Sequence, residues 1–157
     1  MPVFAPTNNP NDTRADTIAN APFFPDISVA DFVETTRAQD TITDKRLKHA
    51  LTIAILETNR ELATWRAQQE TLGFTTLADV PTVNVGGTSE FVLHYLNAVY
   101  CLAKAALLEK FRDVDTTKPD GNGRANEFEN TIDDYLAESS NSISAILGRN
   151  NYTVELI

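Results

Sequence analysis

The chain has 157 residues, enough for one domain whose core needs neither disulfides nor metal ions for stability. A hydrophobic fraction of 42% is that of a folded globular protein. The 13 lysines and arginines stand against 22 aspartates and glutamates, so the formal net charge is −9. Most of such a surface repels phosphate, which argues against sequence reading or charge neutralisation of DNA. The same negative charge is compatible with an acidic channel wall along which DNA slides.

Cys101 is the only cysteine, so no disulfide can form within the chain. It lies in an apolar helical run, where a free cysteine is usually a small buried hydrophobe. The N-terminal segment has neither a basic stretch nor an apolar one, and no run approaches the length of a membrane span. These features predict a soluble cytoplasmic protein without membrane contact.

The first 22 residues are predicted to be a flexible N-terminal arm. Five of the seven prolines lie within the first 25 residues, among many asparagine, threonine and aspartate residues. Such a segment has little apolar surface to offset the entropy that it would lose on ordering. A helical domain is expected to follow over residues 23–149, and residues 150–157 are expected to form an extended C-terminal tail.

Two helices are predicted in the first half of this domain. Ser28 can cap the first helix together with Asp31, and this helix should end near Gln39. The second is expected to run without a break over residues 43–72, closed by Gly73. Its apolar face follows the 3.6-residue period and comprises Leu47, Leu51, Ala54, Ile55, Thr58, Leu62 and Trp65.

The third helix is predicted to be the centre of the fold. After a connecting loop over residues 74–87, either Thr88 or Ser89 can cap this helix, which should reach about Arg112. It is apolar over most of its circumference, as a central bundle helix must be. The residues that carry this pattern are Val92, Leu93, Tyr95, Leu96, Val99, Tyr100, Leu102, Ala103, Ala106, Leu107 and Leu108.

A polar loop over residues 113–123 precedes a fourth helix, predicted over residues 124–147 and ended by Gly148. The inward-facing residues of this helix are expected to be Phe128, Ile132, Tyr135, Leu136, Ile143, Ile146 and Leu147. The final segment, residues 150–157, alternates apolar and polar residues like a strand. The predicted fold is therefore all-α: a small bundle of about four helices with extended N- and C-terminal tails.

The residues form no recognisable catalytic or metal site. The 113–123 loop looks like a calcium loop, but in no register do its oxygen ligands, glycine and final glutamate all match. Cys101, His49 and His94 lack the spacing of a zinc site. The turn at Gly86–Gly87 has neither the lysine nor the preceding strand of a phosphate-binding loop. We therefore predict no cofactor and no enzymatic activity.

Negative charge is concentrated between Asp113 and Glu138, where eight acidic residues stand against two basic ones. A hydrolase would need a pair of carboxylates held at a defined separation in a cleft. Here the carboxylates alternate with the apolar stripe of the fourth helix, as they do on a solvated helix face. This uneven distribution favours an oriented surface that faces either DNA or a basic partner.

Four short segments stand in order among these helices: Phe23-Phe24-Pro25-Asp26-Ile27, Glu57-Thr58-Asn59-x-Glu61-Leu62, Gly73-Phe74-Thr75-x-Leu77-Ala78-Asp79-Val80-Pro81 and Thr131-Ile132-Asp133. Together they resemble the head completion protein (GPL) family of tailed bacteriophages, over about residues 23–157. Similar proteins are structural head-to-tail connector components, or adaptors, that join the underside of the portal ring after the capsid has been filled. The resemblance implies a virion protein that is made in the host cytoplasm.

The resemblance also implies the partners. Proteins of this kind form rings of usually twelve-fold symmetry, so the chain would be a homo-oligomer, a dodecamer in the virion. The ring would contact the portal and the tail completion or terminator protein. It would surround packaged DNA without reading its sequence, and so help to retain it.

Two surfaces are expected to carry these contacts. The β-like tail, with Tyr152, Val154, Leu156 and Ile157, should dock on the portal or a neighbouring subunit, because it has no partner strand in the chain. The carboxylates predicted to line the DNA channel are Glu127, Glu129, Asp133 and Asp134. Two other classes stay open at this point: an acidic cytoplasmic binding protein that mimics DNA or inhibits a basic partner, and an enzyme with an unrecognised site.

Overall fold

The structure is a computed structural model that describes residues 16–38, 42–115 and 122–149; side chains are described as far as 110 and again from 131. Its elements in chain order are β1 (Thr17–Ile18), β2 (Ile27–Ser28), α1 (Val29–Thr36), α2 (Asp44–Glu61), α3 (Ala63–Thr71), a 3₁₀ turn (Leu77–Asp79), β3 (Asn84–Val85), β4 (Thr88–Ser89), α4 (Glu90–Asp115) and α5 (Asn122–Leu147). The fold is mostly helical. The prediction of a strictly all-α fold was wrong because two small antiparallel sheets join the helices.

The first sheet ties the start of the described chain to the first helix. Ile18 pairs with Ile27 and Thr17 with Ser28. Ser28 then caps α1, because its Oγ accepts a hydrogen bond of 3.2 Å from the Asp31 N–H. This is the cap that the sequence predicts. Strand β1 falls within the segment assigned to the N-terminal arm, of which residues 1–15 lie outside the described chain.

Helix α1 ends at Thr36, three residues before the predicted position. Arg37 follows with φ +47, in the left-handed region. For a residue with a side chain this conformation costs about 1 kcal/mol, and it turns the chain sharply. The backbone N–H of Arg37 donates a hydrogen bond to the Val33 carbonyl, as at a helix end that is closed by glycine.

The helix predicted over residues 43–72 is in fact two helices, α2 and α3, separated at Leu62. Leu62 is fully buried, whereas α3 has no buried residue and so leaves the core. The half-buried Trp65 holds α3 down, with its ring 6.3 Å from that of Phe23 and 5.4 Å from that of Phe91. Gly73, with φ +98, follows the end of α3 as predicted.

Helix α4 is the centre of the fold, as predicted, and packs against both α2 and α5. Tyr95, Ala98, Val99 and Ala103 on this helix are fully buried. The expectation that no segment has the length of a membrane span was wrong, since residues 90–110 have both that length and the apolarity. In the described structure these residues pack between α2 and α5.

Helix α5 runs antiparallel to α4 through small polar contacts. The Ser139 hydroxyl donates to the Ala98 carbonyl at 2.9 Å. Asn97 Nδ2 donates to Ser142 Oγ at 2.9 Å and to Glu138 at 3.2 Å. Buried serines let the two backbones approach closely. The helix begins at Asn122, two residues earlier than predicted, and Gly148 follows it with φ +66.

Candidate assembly surfaces

Three of the four segments that carry the family resemblance meet on one side of α4. The Phe23 carbonyl accepts a hydrogen bond of 2.7 Å from the Leu77 N–H, which joins the first segment to the third. Phe24 stacks on Tyr95, with ring centroids 4.7 Å apart and planes 11° from parallel. Asn59, from the second segment, reaches the same tyrosine. These residues hold the fold together, so this part of the motif is structural.

A polar cluster of Asn20, Asn59 and Tyr95 lies at this meeting point. Asn20 Nδ2 donates to the Tyr95 hydroxyl at 2.7 Å, and that hydroxyl donates to Asn59 Oδ1 at 2.6 Å. Asn59 Nδ2 closes the triangle on Asn20 Oδ1 at 2.9 Å. Burial raises the pKa of Tyr95 to about 12, against a smaller opposing effect of the bond from Asn20, so the phenol stays protonated at neutral pH. The cluster fixes the 16–28 segment on α2 and α4.

Replacing Tyr95 by phenylalanine is expected to lower the free energy of unfolding by about 1–3 kcal/mol. The substitution leaves Asn59 Oδ1 without its donor and removes one acceptor of Asn20, and buried polar groups without partners cost that much. Denaturant unfolding measures the difference. Tyr100→Phe is the matched control, since Tyr100 is also buried and lies outside this cluster. Equal losses in the two variants would mean that the cluster contributes nothing specific.

The fourth segment, Thr131–Asp133, lies apart from the other three, on α5. Ile132 is buried in the core and Asp133 is exposed. This segment contributes the buried side chain of Ile132 to the fold. The carboxylate of Asp133 is accessible at the surface.

The predicted channel carboxylates occupy two different stripes of α5. In a helix, residues three, four or seven apart share a side. Positions 129 and 133 therefore share a stripe with Leu136, whereas positions 127 and 134 share one with Glu138. Asp133, Asp134 and Glu138 are exposed; the side chains of Glu127 and Glu129 lie outside the described part. The four carboxylates therefore do not form one face.

The predicted docking residues Tyr152, Val154, Leu156 and Ile157 lie outside the described residues. Their docking role stays a prediction. The 113–123 loop is likewise described only at its ends.

Cys101 is buried, as predicted, and its thiol lies 3.7 Å from Asn97 Oδ1. Burial raises the pKa of this thiol to about 12, and the Glu138 carboxylate adds to the shift. A thiol of this kind is unreactive at neutral pH. His94 Nε2 lies 3.8 Å from Glu90 Oε1 on the same helix. Among the described residues, no three histidine, cysteine or acidic side chains come together as a metal site.

An open groove of about 210 Å³ lies between α2 and α5, with α4 as its floor. Ile53 and Glu57 line it on the α2 side, Leu136 lines it on the α5 side, and Glu109 belongs to its floor. Leu136 is 39% exposed, so the prediction that it points into the core was wrong. Apolar walls bordered by carboxylates suit a partner that presents apolar and basic side chains.

The outward side of α2, opposite its buried stripe, is apolar and basic. Ile53 is 42% and Leu56 59% exposed, high values for large aliphatic side chains. At spacings of four or seven residues from one or both of them lie the exposed Arg46, His49 and Arg60, with Glu57 four residues after Ile53; Lys45 lies one turn before His49. Sequence reasoning missed this surface, although Ile53 and Leu56 stand outside the apolar stripe that it identified.

A second exposed apolar surface lies at the β3–β4 hairpin. Val83 and Val85 are 64% and 59% exposed, and the turn is made by Gly86 and Gly87, both with positive φ. The Gly86–Gly87 segment is thus a hairpin turn, and because β3 directly precedes it, the expectation that no strand precedes this turn was wrong. Ser89 precedes α4, but its buried Oγ has no hydrogen-bond partner among the described residues and does not cap the helix.

Comparison with known proteins supports a structural virion role. The profile of the family described as phage head completion protein (GPL) matches residues 18–157. The chain is 36% identical over 132 residues to a head completion/stabilization protein of Escherichia phage P2, an alignment that covers 84% of this chain and 78% of that protein. No solved structure matches the chain. The family is structural and not enzymatic. From the extent of the profile match, the chain belongs to the phage head completion protein family.

Proposed function

We propose that this head completion protein forms a ring beneath the portal, helps to retain the packaged DNA and joins the head to the tail. The family match over residues 18–157 carries the proposal. It is supported by a helical body whose described residues expose apolar surface on α2, in the groove and at the hairpin. Head-to-tail contacts between such bodies close into rings when the rotation between neighbours allows it.

The proposed partners are the portal ring, further copies of the chain in a dodecamer, and a tail completion or terminator protein. Before assembly the protein would reside in the host cytoplasm. The tail residues Tyr152, Val154, Leu156 and Ile157 are proposed to dock on the portal or on a neighbouring copy. Their alternating pattern suits addition to another chain, where the ordering entropy is offset by new contacts.

DNA retention is tested with filled heads that lack the protein. Heads to which the purified protein is added should keep their DNA protected from nuclease, and heads without it should lose that protection. The Tyr95→Phe variant, tested at a temperature at which it is folded, serves as a control for a structural substitution away from the proposed docking surfaces. Equal nuclease sensitivity with and without the wild-type protein would refute a role in retention.

The stripe that holds positions 129 and 133 of α5 is proposed to face the channel, because carboxylates there would repel phosphate. Glu129→Lys with Asp133→Lys should therefore create affinity for duplex DNA that falls on the order of tenfold between low and high salt, as two new phosphate contacts imply. Fluorescence anisotropy measures it. The variant should impair virion function and leave ring assembly intact.

The matched control is Glu61→Lys with Glu70→Lys, which makes the same change in net charge at exposed positions elsewhere. If both double variants bind DNA equally, the effect is one of net charge alone. If Glu129→Lys with Asp133→Lys breaks assembly without creating DNA affinity, the stripe meets a basic protein surface and the channel proposal fails.

A further inference from the structure

Two exposed helix surfaces of this molecule carry opposite charge. The first, here called the α2 edge, consists of Lys45, Arg46, His49, Ile53, Leu56 and Arg60. The second, the α5 edge, consists of Asp134, Ala137 and Glu138. Every one of these side chains is exposed. Both edges belong to helices that pack on α4 and turn their buried stripes towards it.

The charge on each edge is of one sign. The α2 edge contains three cations and a histidine; the exposed Glu57, four residues from Ile53, lies beside it and lines the groove. Residues 131–147 of α5 contain three carboxylates and no lysine, arginine or histidine. In a chain of net charge −9, a surface that gathers cations around exposed leucine and isoleucine is unusual.

The two edges belong to different helices. Helices α2 and α5 flank α4, and the groove separates them. One edge of a molecule can therefore contact the other edge of a second molecule. Contacts between unlike surfaces are head-to-tail, and repeated copies then form a ring or a filament.

We infer that the α2 edge of one copy binds the α5 edge of the next, and that this is the contact between neighbours in the ring. The inference rests on the proposed ring function and names the surfaces that build it. Ile53 and Leu56 supply apolar area, and Ala137, a small residue, lets the helices approach. The surrounding cations and carboxylates set the register and exclude the pairing of two like edges.

Disulfide trapping between purified copies tests the contact without the portal. One copy carries Leu56→Cys and a mass tag, the other carries Ala137→Cys, and both carry Cys101→Ala. Mixed at high protein concentration under mild oxidation, they should form the 56–137 heterodimer in far higher yield than a control pair in which Thr71→Cys on α3 replaces Ala137→Cys. Equal yields for the two pairs would overturn the inference.

Charge exchange tests the polarity of the same contact. Lys45→Glu with Arg60→Glu on the first copy, or Asp134→Lys with Glu138→Lys on the second, should each lower the association on the order of tenfold, because attraction becomes repulsion. Combining both altered copies should restore the 56–137 yield, since the edges are again opposite in sign. If the two altered copies associate as weakly as one altered copy does with an unaltered one, the proposed contact between the α2 edge and the α5 edge is refuted.

These outcomes separate the inference from the proposed function. Efficient 56–137 trapping by a protein that never binds portal would leave the edge contact standing and refute the ring beneath the portal. If the protein binds portal but its 56–137 trapping is no better than that of the control pair, the edge contact is refuted and the ring beneath the portal stands.

Discussion

Leu107→Ala is expected to lower the free energy of unfolding by about 2–5 kcal/mol, because truncating a buried leucine removes transfer free energy and leaves a cavity. Leu107 is 3% exposed and lies on α4, the helix against which α2 and α5 pack. The melting temperature should fall on the order of 10 °C. Chemical denaturation of purified variants measures the change.

Leu56→Ala is the matched control, since it removes the same atoms from a leucine that is 59% exposed. Its cost should stay within about 0.5 kcal/mol, as for most surface substitutions. Leu96, predicted to face the core, is only half-buried, so Leu96→Ala should fall between the two. If the three variants lost equal stability, the central position of α4 would be wrong.

Deletion of residues 150–157 is expected to abolish portal binding and to leave the melting temperature nearly unchanged. This segment follows the last described helix, because α5 ends at Leu147 and Gly148 turns the chain after it. Sedimentation with purified portal measures binding, and thermal unfolding measures stability.

The alternation of the tail can be tested within the full chain. Changing Tyr152, Val154 and Leu156 to aspartate should remove binding as completely as the deletion does, since these residues share one side of an extended segment. Changing Thr153 and Glu155 to alanine alters the other side and should leave binding intact. Normal portal binding by the deleted protein would mean that the tail has no docking role.

Much of the helical framework was predictable because its signals are local. Ser28 caps α1 through its own side chain, and Gly73 and Gly148 follow helix ends with positive φ. The apolar circumference of α4 indicated its central position, and this signal too is local to the helix. Each of these features depends on residues within one or two helical turns.

The features that the sequence did not reveal depend on distant parts of the chain. The bond from Asn20 to Tyr95 spans 75 positions, and nothing near Asn20 indicates it. Neither proline nor glycine marks the break at Leu62; the full burial of this leucine and the aromatic contacts of Trp65 accompany it. Strands of two residues are too short to show a period.

The candidate surfaces were predictable only in part. The excess of carboxylates was visible, but their division into two stripes of α5 follows from the helical register once the helix bounds are known. Leu136 looked like a core residue because its spacing from Ile132 and Ile143 fits the apolar stripe. Its exposure follows from the groove, which opens because α2 and α5 flank α4 on either side of it.

Electron microscopy of the purified protein mixed with its cognate portal tests the central claim most directly. The account predicts an additional ring of density on the underside of the portal, with the symmetry of the portal and a central channel open to DNA. The helical body should form the ring wall. Portal particles without added density, at protein concentrations well above those of the portal, would contradict the claim that this head completion protein acts as a ring between the portal and the tail.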